Sequence, residues 1–555
     1  MQDLTPAGRR GSLILAVSAG LALADASVVA LALPELLREL DTTVEGVAAV
    51  LGVYVLVLAL TLIPAAAFER RHGAARVGAA GLALMTLASV LCAVAGSLPV
   101  LLVGRALQAA GGAAGLIAIF TLIDAGTRGR RMWVAAAVFG TAAGPALGGL
   151  LTQALSWRAI FVAQAPVALA AAIVAYRAER AHDERVPAPA AGPMPAAPSA
   201  ALALVAAALT AVLFLLVLEL VAGWAVEPLA AAGAVTVLPV TALAASRWRG
   251  PALTRATAGA LLIGAGTLCL AFLPDASVAW TIVPQILAGA GMGLALPALS
   301  GGLIPERTAG DAARLLTVRH AGIVLVLAAV APVVSHQLDN ATHTARLRGI
   351  ALVLDAKLPP QAKLPLAPAL LTSVNSESPR EGLRKAIRDA RAGFSGQDAA
   401  VFDTMATRAD DTLVAAVGDA FNEAFIVAGA LGLAAAVVLL VAGGALAAPA
   451  RWALGLATAA LVAVPVYAAL HSSVAPEPVK IADPCKPRAL PHTGGLTGAL
   501  QDTALVQLDR SACRIGSSRE ELVLALVDPA ESQRFARRYG VNPRSIGGLI
   551  STLFG

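Results

Sequence analysis

About thirteen separate runs of roughly twenty apolar residues cross this 555-residue sequence, and nothing else limits its fold so tightly. A helix needs about that many residues to span the hydrocarbon core of a bilayer. In lipid, each backbone amide must also find its partner inside the protein, which leaves helices or closed barrels. Runs of twenty point to helices, near 11–34, 45–66, 76–96, 98–123, 132–155, 157–177, 200–221, 225–245, 255–273, 278–304, 318–337, 424–447 and 452–470. The expected fold is an all-α polytopic membrane protein. Only 14% of residues are charged, against about a quarter in soluble proteins, which excludes an ordinary soluble enzyme. Aromatics are 4%, so the lipid-facing mass is Ala, Leu, Val and Gly, small residues that let helices approach closely. Ala24-Asp25-Ala26 follows a hydrophobic stretch as a signal-peptide cleavage site would, but the apolar run continues to Leu33 and reads as a retained helix.

Arg residues in the short loops set the orientation. Arg9/Arg10, Arg70/Arg71/Arg76, Arg128/Arg130/Arg131, Arg177/Arg180/Arg185, Arg247/Arg249/Arg255, Arg307/Arg314 and Arg451 fall on one side. The opposite short loops hold little beyond Arg38 and Arg158, beside the acidic cluster Glu35, Glu39, Asp41 and Glu45. The alternation predicts a multi-pass protein of the plasma (inner) membrane, with a cytoplasmic N-terminus and an extracytoplasmic C-terminus. Trp133, Trp157, Trp224, Trp248, Trp280 and Trp452 fall at span ends, where indoles are favoured. The net charge of +6 is thus a topology signal, and the scattered Arg give no nucleic-acid site.

Composition also divides the chain. Residues 178–200 begin with mixed charges and pass into PAPAAGPMPAAPSA, a cytoplasmic Pro/Ala linker that cannot build a core. The expected organisation is a six-span bundle (1–177), this linker, a second six-span bundle (201–448), an extra span (449–470) and a C-terminal domain (471–555). The second bundle carries a polar insertion, 338–423. Both polar segments are extracytoplasmic on this topology. In the insertion, Pro379–Gly393 has helical periodicity with Leu383, Ile387 and Ala390 on one face, and a further helical stretch runs through Leu413, Ala416 and Val417. In the tail, Ser518-Arg-Glu-Glu521 matches a capping box, and Asp528-Pro529 and Asn542-Pro543 place capping residues ahead of Pro. Gly540 suits a left-handed helix stop. A small helical domain of three or four helices is expected. Cys485 and Cys513 can form a disulfide closing a 28-residue separation, worth roughly 3 kcal/mol, or remain free thiols. Two Cys with His492 nearby make a poor metal site.

Two features inside the spans carry chemistry. Gly140–Gly149 reads GTAAGPALGG: one helix face is stripped of side chains and a Pro removes a backbone hydrogen bond. Such a helix can pack closely or bend. Asp25 lies about 14 residues into the first run, far from either interface, where a charge is costly and faces a cavity or a partner. Burial favours its neutral acid and a nearby cation its ionised form, so movement between two environments would couple a proton. A fixed ion pair with Arg105 is the alternative.

These segments resemble the drug:proton antiporters of the major facilitator superfamily, especially the fourteen-span branch. The likeness rests on Asp25–Pro34, on Gly104-Arg105-Ala-Leu-Gln108-Ala-Ala-Gly111-Gly112, on Gly140–Gly149 and on Ser156-Trp157-Arg158-Ala-Ile-Phe161. It is strong over about residues 10–180, weaker near Gly289–Pro297 and Arg319–Gly322, and absent from the tail. It implies two six-helix bundles and no cofactor, with a proton gradient as the driving force. It also implies proton coupling by Asp25 and Arg105, a substrate cavity including Tyr54, Gln108 and Gln164, and an antiporter motif of Gly140, Gly144, Pro145, Gly148 and Gly149. Arg105 reads equally as an anchor between spans one and four, Tyr54 as a packing residue and the glycines as close packing alone. Glu219, near the end of span seven, reads as an interfacial carboxylate. The chain also departs from the family pattern. The family's gating loop between spans two and three carries an acid where this sequence has Arg70, in Pro64–Arg76, with Glu69 next door as a substitute and Gly73 and Arg76 retained. Ala30 and Gln164 stand where the family usually has Asn. Two spans are missing between Trp248 and Arg255, and one is added at the end.

Phosphate-loop, His-Glu-x-x-His and Gly-x-Ser-x-Gly signatures are lacking, so the chain is not expected to be an enzyme. The expected function is proton-coupled multidrug export of a lipophilic small molecule, cations included, or of an envelope metabolite, by alternating access. The alternative is an envelope-associated scaffold or receptor with a transporter-like fold, its outer domains recruiting an envelope protein or lipid.

Overall fold

A computed structural model of the chain describes residues 8–123, 129, 132–133, 136, 144, 147–181, 193–304, 308–363, 366, 379–442, 451–474 and 479–545. Among them the secondary structure is helical, apart from one β-bridge between Ser300 and Ile304. The chain divides into two compact units. The first comprises Met1–Val221, Val226–Ser335 and Asn422–Ser473; the second comprises Ala222–Ala225, His336–Phe421 and Val474–Gly555.

The first unit is the membrane protein proper. Its helices are α1 (Gly8–Ala30), the short α2 (Leu33–Glu39), α3 (Val44–His72), α4 (Ala74–Ala93), α5 (Leu98–Leu122) and α6 (Arg158–Ala181). After the linker come α7 (Ala196–Leu218), which runs into a π-helical turn at Glu219–Gly223, then α8 (Pro228–Val235), α9 (Val237–Ala245), α10 (Ala252–Leu270) and α11 (Val278–Leu299). Eleven helices among the described residues are long and apolar enough to cross a membrane. Residues 134–135, 137–143 and 145–146 of the fifth apolar run and linker residues 182–192 lie outside the described residues, while 147–154 is helical. The run at 225–245 reads as one helix in sequence but breaks at Thr236, between α8 and α9. There the Thr236 hydroxyl donates to the Ala232 carbonyl at 2.6 Å, a back-bond that bends helices.

Small residues set the packing in both halves. A Cβ on Gly111 of α5 would lie 2.6 Å from the carbonyl oxygen of Gly81 on α4, and one on Gly291 of α11 only 2.4 Å from that of Gly259 on α10. The two helix pairs therefore touch backbone to backbone, a contact that any larger side chain would prevent.

The remaining helices are α12 (Ala309–Asp355), α13 (Pro379–Arg391), α14 (Gly396–Ala442), α15 (Arg451–Val474), α16 (Gly495–Ile515), α17 (Arg519–Val527) and α18 (Pro529–Tyr539). α12 and α14 have 47 residues each, about 70 Å at 1.5 Å per residue, more than twice the hydrocarbon thickness. The apolar runs at 318–337 and 424–447 mark only part of each helix, because helix formation continues through polar sequence. α15, the added span, packs Trp452, Leu456 and Val464 against Ala245, Leu262, Ala265 and Leu294. Trp452 stacks on Trp248 with centroids 5.6 Å apart, and Tyr467 donates to the Trp280 carbonyl at 2.9 Å.

In the second unit, residues from both polar segments share one core. Leu347 and Ile350 of α12 pack with Leu524 of α17, and Ala512, Leu522, Ala525 and Phe535 join α16, α17 and α18. Asp355 of α12 accepts from Arg519 at 2.8 Å and from Arg488 at 3.0 Å. The capping box at Ser518 forms in both directions, Asp528 caps Ala530, and Gly540 ends α18 at φ 73°. Asn542 accepts from the Arg544 backbone, residues 543–545 form a turn, and those from 546 onward lie outside the described residues. Cys485 and Cys513 are disulfide-bonded, with Cα atoms 5.0 Å apart. On α13, Arg380 grips Asp410 of α14 through two donors, at 3.0 and 2.8 Å.

Candidate functional site

Four side chains from three helices close a hydrogen-bonded ring in the interior of the first unit. Arg105 on α5 donates from one terminal nitrogen to Asp25 Oδ2 on α1 and from the other to Gln108 Oε1 at 2.7 Å. Gln108 lies one turn further along α5, on the same face. Its amide donates to Gln164 Oε1 on α6 at 2.6 Å and to Ser89 Oγ on α4 at 2.9 Å. Gln164 completes the circuit by donating to Asp25 Oδ1 at 3.0 Å. Asp25, Arg105 and Gln108 are wholly buried and Gln164 nearly so. The remaining Arg105 nitrogen, Nε, reaches the Val50 carbonyl on α3 at 3.2 Å. Each oxygen of Asp25 thus accepts a bond and each nitrogen of Arg105 donates one, which is what a buried ion pair requires to offset its desolvation. The pair named as the alternative for Asp25 is present.

Tyr54 covers the ring from α3. Its face lies 4.2 Å from the Arg105 guanidinium carbon, and its hydroxyl donates to the Ala22 carbonyl at 3.1 Å, one turn before Asp25. A Cβ on Gly112 would sit 3.4 Å from that hydroxyl, so α5 leaves room for the phenol. Tyr54 also lines a cavity of about 90 Å³, with Ala22, Phe214, Met292, Arg319 and His320 among its walls. Gln108 and Gln164, expected along a substrate cavity, do not line it; their amides are committed to the ring instead. A cavity of this size is well below the roughly 300 Å³ of a drug-sized site.

Two glycines of GTAAGPALGG make close contacts. A Cβ on Gly148 would lie 2.2 Å from the Val28 carbonyl oxygen of α1, and one on Gly149 would lie 2.3 Å from the Ala232 Cβ of α8. This stretch therefore packs on α1 from the first half and on α8 from the second. Gly144 is buried, and Gly140 and Pro145 lie outside the described residues.

The model of the Major Facilitator Superfamily matches residues 15–327, more than half of the chain and both sets of helices just described. The chain belongs to the Major Facilitator Superfamily. Eleven helices among the described residues are long and apolar enough to cross a membrane, in keeping with that family's multi-pass fold. Methylenomycin A resistance protein of Bacillus subtilis is 31% identical over 30% of this chain and 37% of its own length. Multidrug resistance protein Stp of Mycobacterium tuberculosis is 33% identical over 28% of this chain and 32% of its own length. The chain thus spans about a third of the length of these relatives. In fold, it matches a bacterial homolog of the human lysosomal transporter Spinster, in an inward-facing and occupied conformation, with TM-score 0.54 at 16% identity. That match covers 78% of this chain and 96% of the other.

Within this Major Facilitator fold, the loop between spans two and three is short. Gly73, at φ 86°, separates α3 from α4 and caps α3 through its amide to the Glu69 carbonyl at 2.8 Å. Only glycine adopts that backbone readily. Glu69 is buried and hydrogen-bonded to Thr121 of α5, while Arg70 and Arg76 are exposed. Another layer surrounds Trp157, which lies fully buried at the start of α6. Its indole donates to Glu39 Oε2 at 2.9 Å, its backbone amide to Glu35 at 3.2 Å, and Arg158 pairs with Glu39 at 2.5 Å. The Arg158 and Trp157 hydrogen bonds hold the Glu39 carboxyl below its ordinary range, whereas burial raises Glu35.

Two contributors carry no strong signal in sequence. Ser89 is one weakly polar residue in an apolar run. His320 is visible as a lone imidazole in the eleventh run, but only the structure shows Nδ1 held by the Leu316 carbonyl at 2.6 Å and the ring in the cavity wall.

Proposed function

We propose that this transporter is a proton-coupled exporter of lipophilic small molecules that works by alternating access. The observation that carries the reading is the closed ring: one acid and one base, sealed among helices, beside a cavity with largely apolar walls. A proton on Asp25 removes the charge that holds Arg105, and the guanidinium must then turn to other acceptors. That rearrangement lets one protonation event favour one arrangement of the helices over another. The names of the matched relatives, which describe resistance to methylenomycin A and to multiple drugs, support export of drug-like cargo. The cavity offers little to a polar cargo beyond Arg319, His320 and the Tyr54 phenol, which favours lipophilic substrates. Loop arginines favour a cytoplasmic N-terminus and an extracytoplasmic second unit. The domain limits read from composition, 1–177, 178–200, 201–448, 449–470 and 471–555, are proposed on the same basis.

The test is uphill transport in proteoliposomes with an imposed pH gradient and a lipophilic cation such as tetraphenylphosphonium, followed by a panel of lipophilic compounds. Wild-type protein should move cargo against its gradient and move protons in return, and Asp25→Asn should lose both while still inserting into the liposomes. Undiminished proton-driven transport by Asp25→Asn would sink the assignment.

A scaffold or receptor reading draws on one observation, that two segments far apart in sequence build a shared unit with its own core and a disulfide. Removing residues 471–555 separates the readings: retained efflux favours the exporter, and no efflux from any form of the protein favours the scaffold.

A further inference from the structure

The second unit holds an open cleft of about 1060 Å³ that plays no part in the transport reading. It lies between residues 348–357 of α12 and 397–415 of α14, with Val479 and Lys480 at its edge. Its apolar lining includes Ala351, Leu352, Val401 and Met405, and Gln397, Thr404 and Thr412 add uncharged polar groups. The margin is cationic, with Arg348, Lys357, Arg408 and Lys480. Among the described residues, none of these four side chains has an ion-pair or hydrogen-bond partner. The two acids of the lining do not balance them. Asp355 is held by Arg488 and Arg519, which leaves Asp411 against four cations.

Size, apolar interior and charge must be met by one ligand. A metal ion would face a cationic margin. Free phosphate would suit the margin but leave the apolar interior in water. A neutral hydrocarbon would leave the cations without a counter-charge. A molecule with a hydrocarbon chain and an anionic head meets all three conditions, and the volume reaches the upper end of drug-sized sites, about 1,000 Å³. We propose that this cleft binds a single-chain anionic amphiphile, with its carboxylate or phosphate among Arg348 and Arg408 and its chain along Leu352, Val401 and Met405. Guanidinium groups suit both heads, because their paired donors match planar carboxylate and phosphate oxygens.

The experiment uses the full-length protein in nanodiscs of neutral phosphatidylcholine, with empty nanodiscs subtracted. The probe is dansyl-undecanoate, a fluorescent carboxylate amphiphile, and its methyl ester is the uncharged control. The acid should bind saturably and the ester should not. Arg348→Glu with Arg408→Glu should weaken binding at least about tenfold, as expected for losing charge-assisted bonds and gaining repulsion. Lys385→Glu on exposed α13 makes the same kind of charge change outside the lining and should leave affinity unchanged. Ala400→Trp, at an exposed lining position, narrows the cleft without altering charge and should also weaken binding. Competition with laurate and dodecyl phosphate then assigns the head: displacement by one identifies it, and displacement by both supports the shared anionic chemistry. Equal binding of acid and ester, no displacement by either competitor, or equal loss in Lys385→Glu and the double variant overturns the proposal.

Discussion

Removing the charge of Asp25 should destabilise the first unit by about 3–5 kcal/mol, the range for breaking a buried ion pair from one side. Arg105 is wholly buried and has three acceptors, of which Asp25 alone carries a compensating charge; the Val50 carbonyl and Gln108 Oε1 are neutral. In Asp25→Asn the Gln164 amide can still donate to a carbonyl oxygen at position 25, so the lost hydrogen bond is minor. The dominant cost is a guanidinium kept in a low-dielectric interior without its counter-ion. The double variant Asp25→Asn/Arg105→Gln removes that stranded charge, so most of the loss should return and the two substitutions should be strongly non-additive. The assay is a double-mutant cycle of unfolding in detergent, followed by tryptophan fluorescence, with Trp157 buried one turn before Phe161, whose ring lies 5.7 Å from the Arg105 guanidinium. If Asp25→Asn unfolds within about 1 kcal/mol of wild type, or if the two substitutions simply add, the pair is not the charged unit described here.

Other expectations follow from single contacts. Gly148→Val would drive a branched side chain into the Val28 carbonyl, a backbone atom with no rotamer to yield, and should cost about 1–3 kcal/mol and abolish efflux; a thermal-shift scan with a transport assay checks both. Loss of the disulfide in Cys485→Ser/Cys513→Ser should destabilise the second unit by roughly 3 kcal/mol, the loop-entropy value for a 28-residue separation, readable as faster proteolysis of residues 479–545 with the spans left intact. The Glu39 carboxyl is held low by Arg158, so its contribution is present at neutral pH and is lost as pH falls through that lowered value, below the ordinary 4.5. The indole bonded to Glu39 should report the change, and Arg158→Ala should shift the fluorescence transition towards higher pH.

The parts of this molecule visible in sequence are those that repeat locally or stand out chemically. Apolar runs gave the helices because lipid forces each span to satisfy its own backbone. Asp25 and Arg105 stood out as charges in such runs. The Ser518 capping box and the Gly540 stop are four-residue patterns whose geometry is fixed by neighbours. Closure of the ring was not legible, because Gln108 and Gln164 are 56 residues apart and neither amide indicates which cavity or partner it serves. The joining of the two polar segments was hidden for the same reason: Asp355 and Arg519 meet across 164 residues. Helix length in α12 and α14 escaped because hydropathy ends where the apolar stretch ends, whereas backbone hydrogen bonding does not.

Tyr54 touches both the ring and the cavity, and on the proposed export reading that contact limits how a proton and a cargo can communicate. Asp25, Arg105, Gln108 and Gln164 bond to each other, to the Ser89 hydroxyl or to the Val50 carbonyl and do not line the cavity; Tyr54 stacks on Arg105 and forms part of the cavity wall. A lipophilic cargo therefore need not touch a charge to affect the ion pair. It need only displace the Tyr54 ring, which is tied to α1 through Ala22, one turn from Asp25. In the other direction, protonating Asp25 leaves Arg105 without its charged acceptor, and the phenol lying on the guanidinium cannot keep its place when that group turns. α1 is also the helix that Gly148 approaches at Val28, one turn beyond Asp25. On the proposed reading, proton, cargo and glycine contact thus meet on a single helix. The coupling can then be carried by a short shift of α1, without a charged residue in the cargo's path.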